Sequence, residues 1–205
     1  MTVNRATQNT KTVWDSKRMV EEAGDLARAG EHESAALAYS VAADAYMKTQ
    51  NYGEALNAIE DALEIILEGV RAALDDNVDM LVIDGVRFAE DLVNKIEDMP
   101  RDRAGISPEY FKKESDDPDT ADYLENEAMD YFEGGNFDMF YHSIGEAVSE
   151  KLEKASDALE SGDYGELSDC LEFIWNNVAF RMLDNYKRKN YRGTKLARIE
   201  RVMRY

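Results

Sequence analysis

The 205-residue sequence predicts an all-α protein, built of antiparallel helical hairpins as an array or bundle of seven to eight helices. Three observations predict it. Apolar residues recur at the 3.6-residue period in seven successive stretches. Very short turns rich in Gly, Asn and Asp separate most of those stretches, and turns so short force neighbouring helices antiparallel. Between residues 30 and 66 small alanines alternate with large tyrosines: Ala35, Ala38/Tyr39, Ala42, Ala45/Tyr46, then Ala55, Ala58/Ile59, Ala62 and Ile66. Alanine lets two helix axes approach, and an aromatic ring fills the hole that the partner's alanine leaves.

Thr12-Val13-Trp14-Asp15 has the pattern of a capping box and opens a first helix over 13–29, with Met19, Val20, Ala23, Leu26 and Ala27 as its stripe and Gly30 as its stop. A second helix spans 33–49. Asn51-Tyr52-Gly53-Glu54 offers an Asx cap and opens a third, which continues through Leu63, Ile66 and Val70 to about Leu74. Asn77 is positioned to cap a fourth helix with Leu81, Phe88, Leu92 and Ile96 on its core stripe, although Met80–Ile83 also suits a short buried strand. Pro100 stops it. All three prolines and the run Glu114–Asp119 fall in 99–119, which reads as a linker with one helical turn at Ser107-Pro108. Periodicity resumes in a fifth helix over 120–133, a sixth over 137–160 and a seventh from Asp163 toward 188. Asn51-Tyr-Gly-Glu54 and Asp163-Tyr-Gly-Glu166 share their turn, and the same alignment pairs Ala35 with Ala147, Ala43 with Ala155 and Glu60 with Glu172. Duplication of a helical half accounts for these identities, and so does chance.

The turn followed by Ala-x3-Tyr-x2-Ala, at Gly30, Ala35, Tyr39 and Ala42 and again at Asn51, Ala55, Ile59 and Ala62, resembles the tetratricopeptide (TPR) repeat and its soluble NSF attachment protein-like variants. The turns lie 20 residues apart instead of 34, and the proline that usually closes a repeat is missing. The resemblance covers about half of the chain. It implies a right-handed array of helical hairpins and a protein-binding role by analogy. On this reading 1–98 is an N-terminal TPR-like half, 99–119 an acidic Pro-containing linker, 120–190 a C-terminal helical half and 191–205 a basic C-terminal helix or tail.

Charge is the strongest compositional signal. The net charge is -19, and it is unevenly spread: residues 181–205 hold nine Lys/Arg against two Asp/Glu, a net of +7, which leaves -26 for residues 1–180. A solvated surface, adaptation to high salt, and mimicry of nucleic-acid phosphate each account for the acidic body. The N-terminal residues lack the apolar segment of a secretory signal, and no apolar run approaches the length of a membrane span, so the expected location is cytoplasmic.

No pattern of residues carries a catalytic signature, and the expected class is non-enzymatic, without cofactor or metal. Cys170 sits in an apolar helical pattern with no histidine or cation beside it in sequence, which reads as a buried inert thiol. His142 has Asp138 and Glu146 at i−4 and i+4, but position 139 is Met where a di-iron bundle would place a ligand. His32 falls in a turn and is expected to be solvent-exposed. Asp75-Asp76, Asp116-Asp117 and Asp119 lack the spacing of a calcium loop. The basic segment is the candidate partner-binding site: Lys187, Arg188, Lys189, Arg192, Lys195, Arg198, Arg201 and Arg204, interleaved with Tyr186, Tyr191 and Tyr205. Leu196, Ile199, Val202 and Met203 form a short apolar stripe within it, which suits docking on the acidic body or on an acidic partner; contact with RNA or DNA is the other reading. The expected function is that of an adaptor or assembly component that binds another protein, and the alternative is an acidic decoy for a nucleic-acid-binding enzyme.

Overall fold

The computed structural model describes residues 3–106 and 120–188, with side chains for 15–100, 103–106 and 120–183. Among the described residues there are eight helices and no strand: α1 (Val3–Arg28), α2 (His32–Lys48), α3 (Tyr52–Asp75), α4 (Asp79–Glu97), the single turn α5 (Arg101–Ala104), α6 (Thr120–Glu133), α7 (Phe137–Ser161) and α8 (Tyr164–Arg188). The protein is all-α, as the periodicity predicts. Met80–Ile83 is helical, within α4. The helical turn expected at Ser107-Pro108 and the acidic run that follows lie outside the described residues.

One turn design recurs through the fold. Gly30, Gln50, Asn77, Gly135 and Gly162 all have left-handed φ, between 55° and 78°. At each, the next residue's amide donates to a carbonyl five positions back: Glu31 to Leu26, Asn51 to Tyr46, Val78 to Ala73, Asn136 to Tyr131 and Asp163 to Ala158. This is the Schellman arrangement, and it satisfies the carbonyls that a helix end otherwise leaves unpaired. Asn77 is therefore the left-handed residue that ends α3, and Val78 takes the N-cap position in its place. Nor does Asn51 form the expected Asx cap: its Nδ2 donates to Thr49 Oγ1 at 3.0 Å. Asp163 does cap, its Oδ1 accepting from the Glu166 amide at 3.0 Å.

The helices assemble around a ring in which α3 packs on α4, α4 on α8, α8 on α7 and α7 back on α3. On one side α2 covers α3 and α1 covers α2, and on the other α6 covers α7. Ala35, Ala36, Ala42 and Ala43 of α2 and Ala55, Ala58 and Ala62 of α3 are buried, which is the close alanine packing that the sequence predicts. Ile59, Leu63, Leu67 and Val70 of α3 then meet Val82, Val86, Ala89 and Val93 of α4 in the main core. The far side is held by rings: Phe132 of α6 meets Phe140 of α7 and Phe180 of α8 edge-on, with centroids 5.2 and 5.4 Å apart. Met99, Ala104 and Ile106 are buried, so the chain stays on the core for eight residues beyond Asp98.

Candidate functional site

α2 and α4 rise side by side over α3, and a groove of about 440 Å³ opens between them. Its position follows from three local causes. The small residues of α2 hold it close to α3, so its remaining apolar residues face elsewhere. Leu37 and Val41, one turn apart, lie on the side of α2 that carries Ser40 and Asp44, away from the alanine stripe. They are 55% and 45% exposed, well above what a packed leucine or valine shows. At one end Lys95 of α4 donates to Ser40 Oγ at 2.9 Å and Asp44 Oδ1 at 2.7 Å, which ties α4 to α2. At the other end nothing comparable joins the helices among the described residues, and the groove gapes at their N-termini.

The floor is α3, with Ile66, Gly69, Val70 and Ala73. The α4 wall is Val78, Leu81, Gly85 and Phe88. Leu81 is 55% exposed and Phe88 only partly covered, a correction to the core stripe predicted through 81, 88, 92 and 96. The reason is angular: at 100° per residue Leu81 and Phe88 fall about 100° around the helix from Val82, Ala89 and Val93, which define the buried face. Gly85 is what brings the wall down to the floor. A Cβ there would come within 2.6 Å of Val70 Cγ2, so only glycine permits this separation of α3 and α4.

The rim is acidic. Glu33, Asp76 and Asp84 line it, and no lysine or arginine does. His32, expected to be exposed, is half-buried as the first residue of α2, with its Cβ 3.5 Å from where a side chain on Gly69 would begin. Its Nδ1 is buried without a hydrogen-bond partner and lies 3.8 Å from Glu68 Oε2, too far for a hydrogen bond. An apolar trough with carboxylates along its edges recognises a side-chain set of the opposite kind: aliphatic or aromatic groups on one face and cations beside them.

A second feature is polar. Glu60, Asp61, Glu64 and Glu68 of α3 face Glu160 of α7 across a cleft that holds Arg71. The Asp61 carboxyl is raised above its ordinary range, first by burial and then by repulsion from Glu64 and Glu60.

The residues singled out in the sequence fall as follows. Lys187 and Arg188 occupy the last two positions of α8, and their side chains lie outside the described ones. Lys189, Arg192, Lys195, Arg198, Arg201 and Arg204 lie outside the described residues altogether, as do Asp116, Asp117 and Asp119. His142 Nε2 sits 3.3 Å from Glu146 Oε1 on an exposed face of α7, and no set of three metal-ligating side chains comes together among the described residues. Cys170 is fully buried, and burial first, then the Glu166 carboxylate, push its thiol up to about 12. Sequence reasoning missed the groove. Its signal was present in Leu37, an apolar residue that falls off the α2 core stripe and lines the groove.

No family model, curated protein or solved structure matches the chain. Among the described residues, no helix is long and apolar enough to cross a membrane.

Proposed function

We propose that this protein is a non-enzymatic adaptor or assembly component, and that its α2–α4 groove holds an amphipathic, basic helical segment of a partner protein. The observation that carries this reading is the exposure of Leu37 and Leu81 along one trough whose rim holds carboxylates and no lysine or arginine. Half-exposed leucines aligned in a trough are what a partner's apolar face covers. The resemblance to TPR hairpins supports the same role by analogy.

The test is a titration with two labelled synthetic helices of equal hydrophobicity, one carrying Lys/Arg beside its leucines and the other Glu. The basic helix is expected to bind. Leu37→Ser with Leu81→Ser should weaken it by at least roughly tenfold, equivalent to about 1.4 kcal/mol, at unchanged melting temperature because both residues are already exposed. Equal affinity for the two helices, or no effect of the substitutions, would refute the reading.

The alternative, an acidic decoy for a nucleic-acid-binding enzyme, has the cleft between Glu60–Glu68 and Glu160 in its favour. Carboxylates that repel one another are relieved by a cationic surface. A decoy complex should dissociate steeply as salt is raised, whereas a complex seated in an apolar groove should survive about 1 M salt better.

A further inference from the structure

We infer that, when no partner is bound, the α2–α4 groove is covered by the chain's own basic segment, residues 191–205, which competes with partners for the site. This inference rests on the groove reading above and adds its regulation. Three observations carry it.

The first is where α8 delivers the chain. Arg181 of α8 is bonded to Asp79, the first residue of α4, and Glu172 of α8 acts electrostatically on Glu90, further along α4. The two helices therefore run antiparallel, and α8 continues seven residues past Arg181 to Arg188, about 10 Å at 1.5 Å per residue. That carries it beyond the N-terminus of α4, which with Asp76, Val78 and Leu81 forms the open mouth of the groove. From there residues 189–195 can span up to about 23 Å, enough to turn back around α4.

The second is charge. Residues 189–205 hold six Lys/Arg and one Asp/Glu, and the groove rim offers Glu33, Asp76 and Asp84 with no cation among them. The third is register. Leu196, Ile199, Val202 and Met203 recur at the spacing that puts them on one side of a helix, with Arg198, Arg201 and Arg204 interleaved. This is the complement of an apolar floor between carboxylate rims. Tethering raises the local concentration of such a segment to the millimolar order, so even a weak site would be largely occupied.

The experiment uses the full chain and a labelled peptide of residues 191–205. Leu196→Ser, Ile199→Ser and Val202→Ser together should vacate the groove, so this variant should bind the peptide at least tenfold more tightly than the unaltered protein. Adding Leu37→Ser and Leu81→Ser should abolish that binding. In a separate chain, Leu37→Cys with Val202→Cys should form an intramolecular disulfide on oxidation, without interference from Cys170, whose buried thiol is unreactive. Equal peptide affinity for the variant and the unaltered protein would overturn the inference. So would failure of this peptide to bind while the synthetic basic helix does, an outcome that leaves the groove reading standing. Cross-links that form only between chains, in a dimer that grows with concentration, would overturn it in favour of a second copy as occupant. If neither helix binds any form, the groove reading itself fails.

Discussion

Gly85, Arg181 and Cys170 show how single residues set the molecule's geometry and its inertness. Gly85→Ala places a methyl group 2.6 Å from Cγ2 of the buried Val70, so the α3–α4 contact must shift to admit it. Overpacking of this kind costs about 1–3 kcal/mol, and a urea midpoint unchanged from wild type would show that α3 and α4 can separate freely. Arg181 is buried against Asp79 and faces Gly145 of α7, the nearest place where an added Cβ would meet its guanidinium. Arg181→Ala leaves Asp79 without its cation and should destabilise by roughly 3 kcal/mol, whereas Arg18→Ala, on an exposed pair, should change stability by less than about 1 kcal/mol. The Cys170 thiol should resist iodoacetamide at pH 8 in the native protein and react once urea unfolds it. Burial of Cys170 was legible from its apolar neighbours. The Arg181–Asp79 pair was not, since its partners lie 102 residues apart and no local pattern links them.

At the scale of elements, the sequence was most informative where turns are made by Gly or Asn. α6, α7 and α8 begin and end within a residue or so of the ranges that periodicity assigns, because Gly135 and Gly162 mark the left-handed positions. α1 starts earlier than its capping pattern predicts: it begins at Val3, ten residues before 13. Thr12 and Asp15 suit a cap, but each costs a continuing helix less than about 1 kcal/mol, so a capping pattern alone does not halt one. Gln50 is the costly member of the turn series, a residue with a Cβ at φ 61° where the equivalent turn before α8 has Gly162. Gln50→Gly should therefore raise stability by up to about 1 kcal/mol, and Gly162→Ala should lower it by a similar amount, both read from urea unfolding. Stability unchanged in both variants would mean that these turns do not fix the hairpins.

For the whole molecule the acidic body has a thermodynamic signature. Asp61 and Glu90 are both raised above their ordinary values, chiefly by burial and then by neighbouring carboxylates, Glu64 for Asp61 and Asp91 for Glu90. The folded protein thus holds these protons more tightly than the unfolded chain. Their cost to folding is fully present above the raised values and is gone below the ordinary carboxylate range near 4. Repulsion within a chain of net charge -19 has the same sign. The melting temperature should accordingly rise as pH is lowered from 7 to 5, and Asp61→Asn should raise it at pH 7 and flatten that dependence; a fall on acidification would contradict this balance. The all-α architecture was legible from helical periodicity alone. The groove was not, because it forms from residues 37, 81 and 88, which come together only once α3 has brought α2 and α4 side by side. Methyl NMR during titration with a basic amphipathic helix tests the docking site most directly. The expected result is shifts confined to Leu37, Ile66, Val70, Val78 and Leu81, and shifts confined instead to Leu67 and Leu159 beside the acidic cleft of α3 and α7 would contradict it.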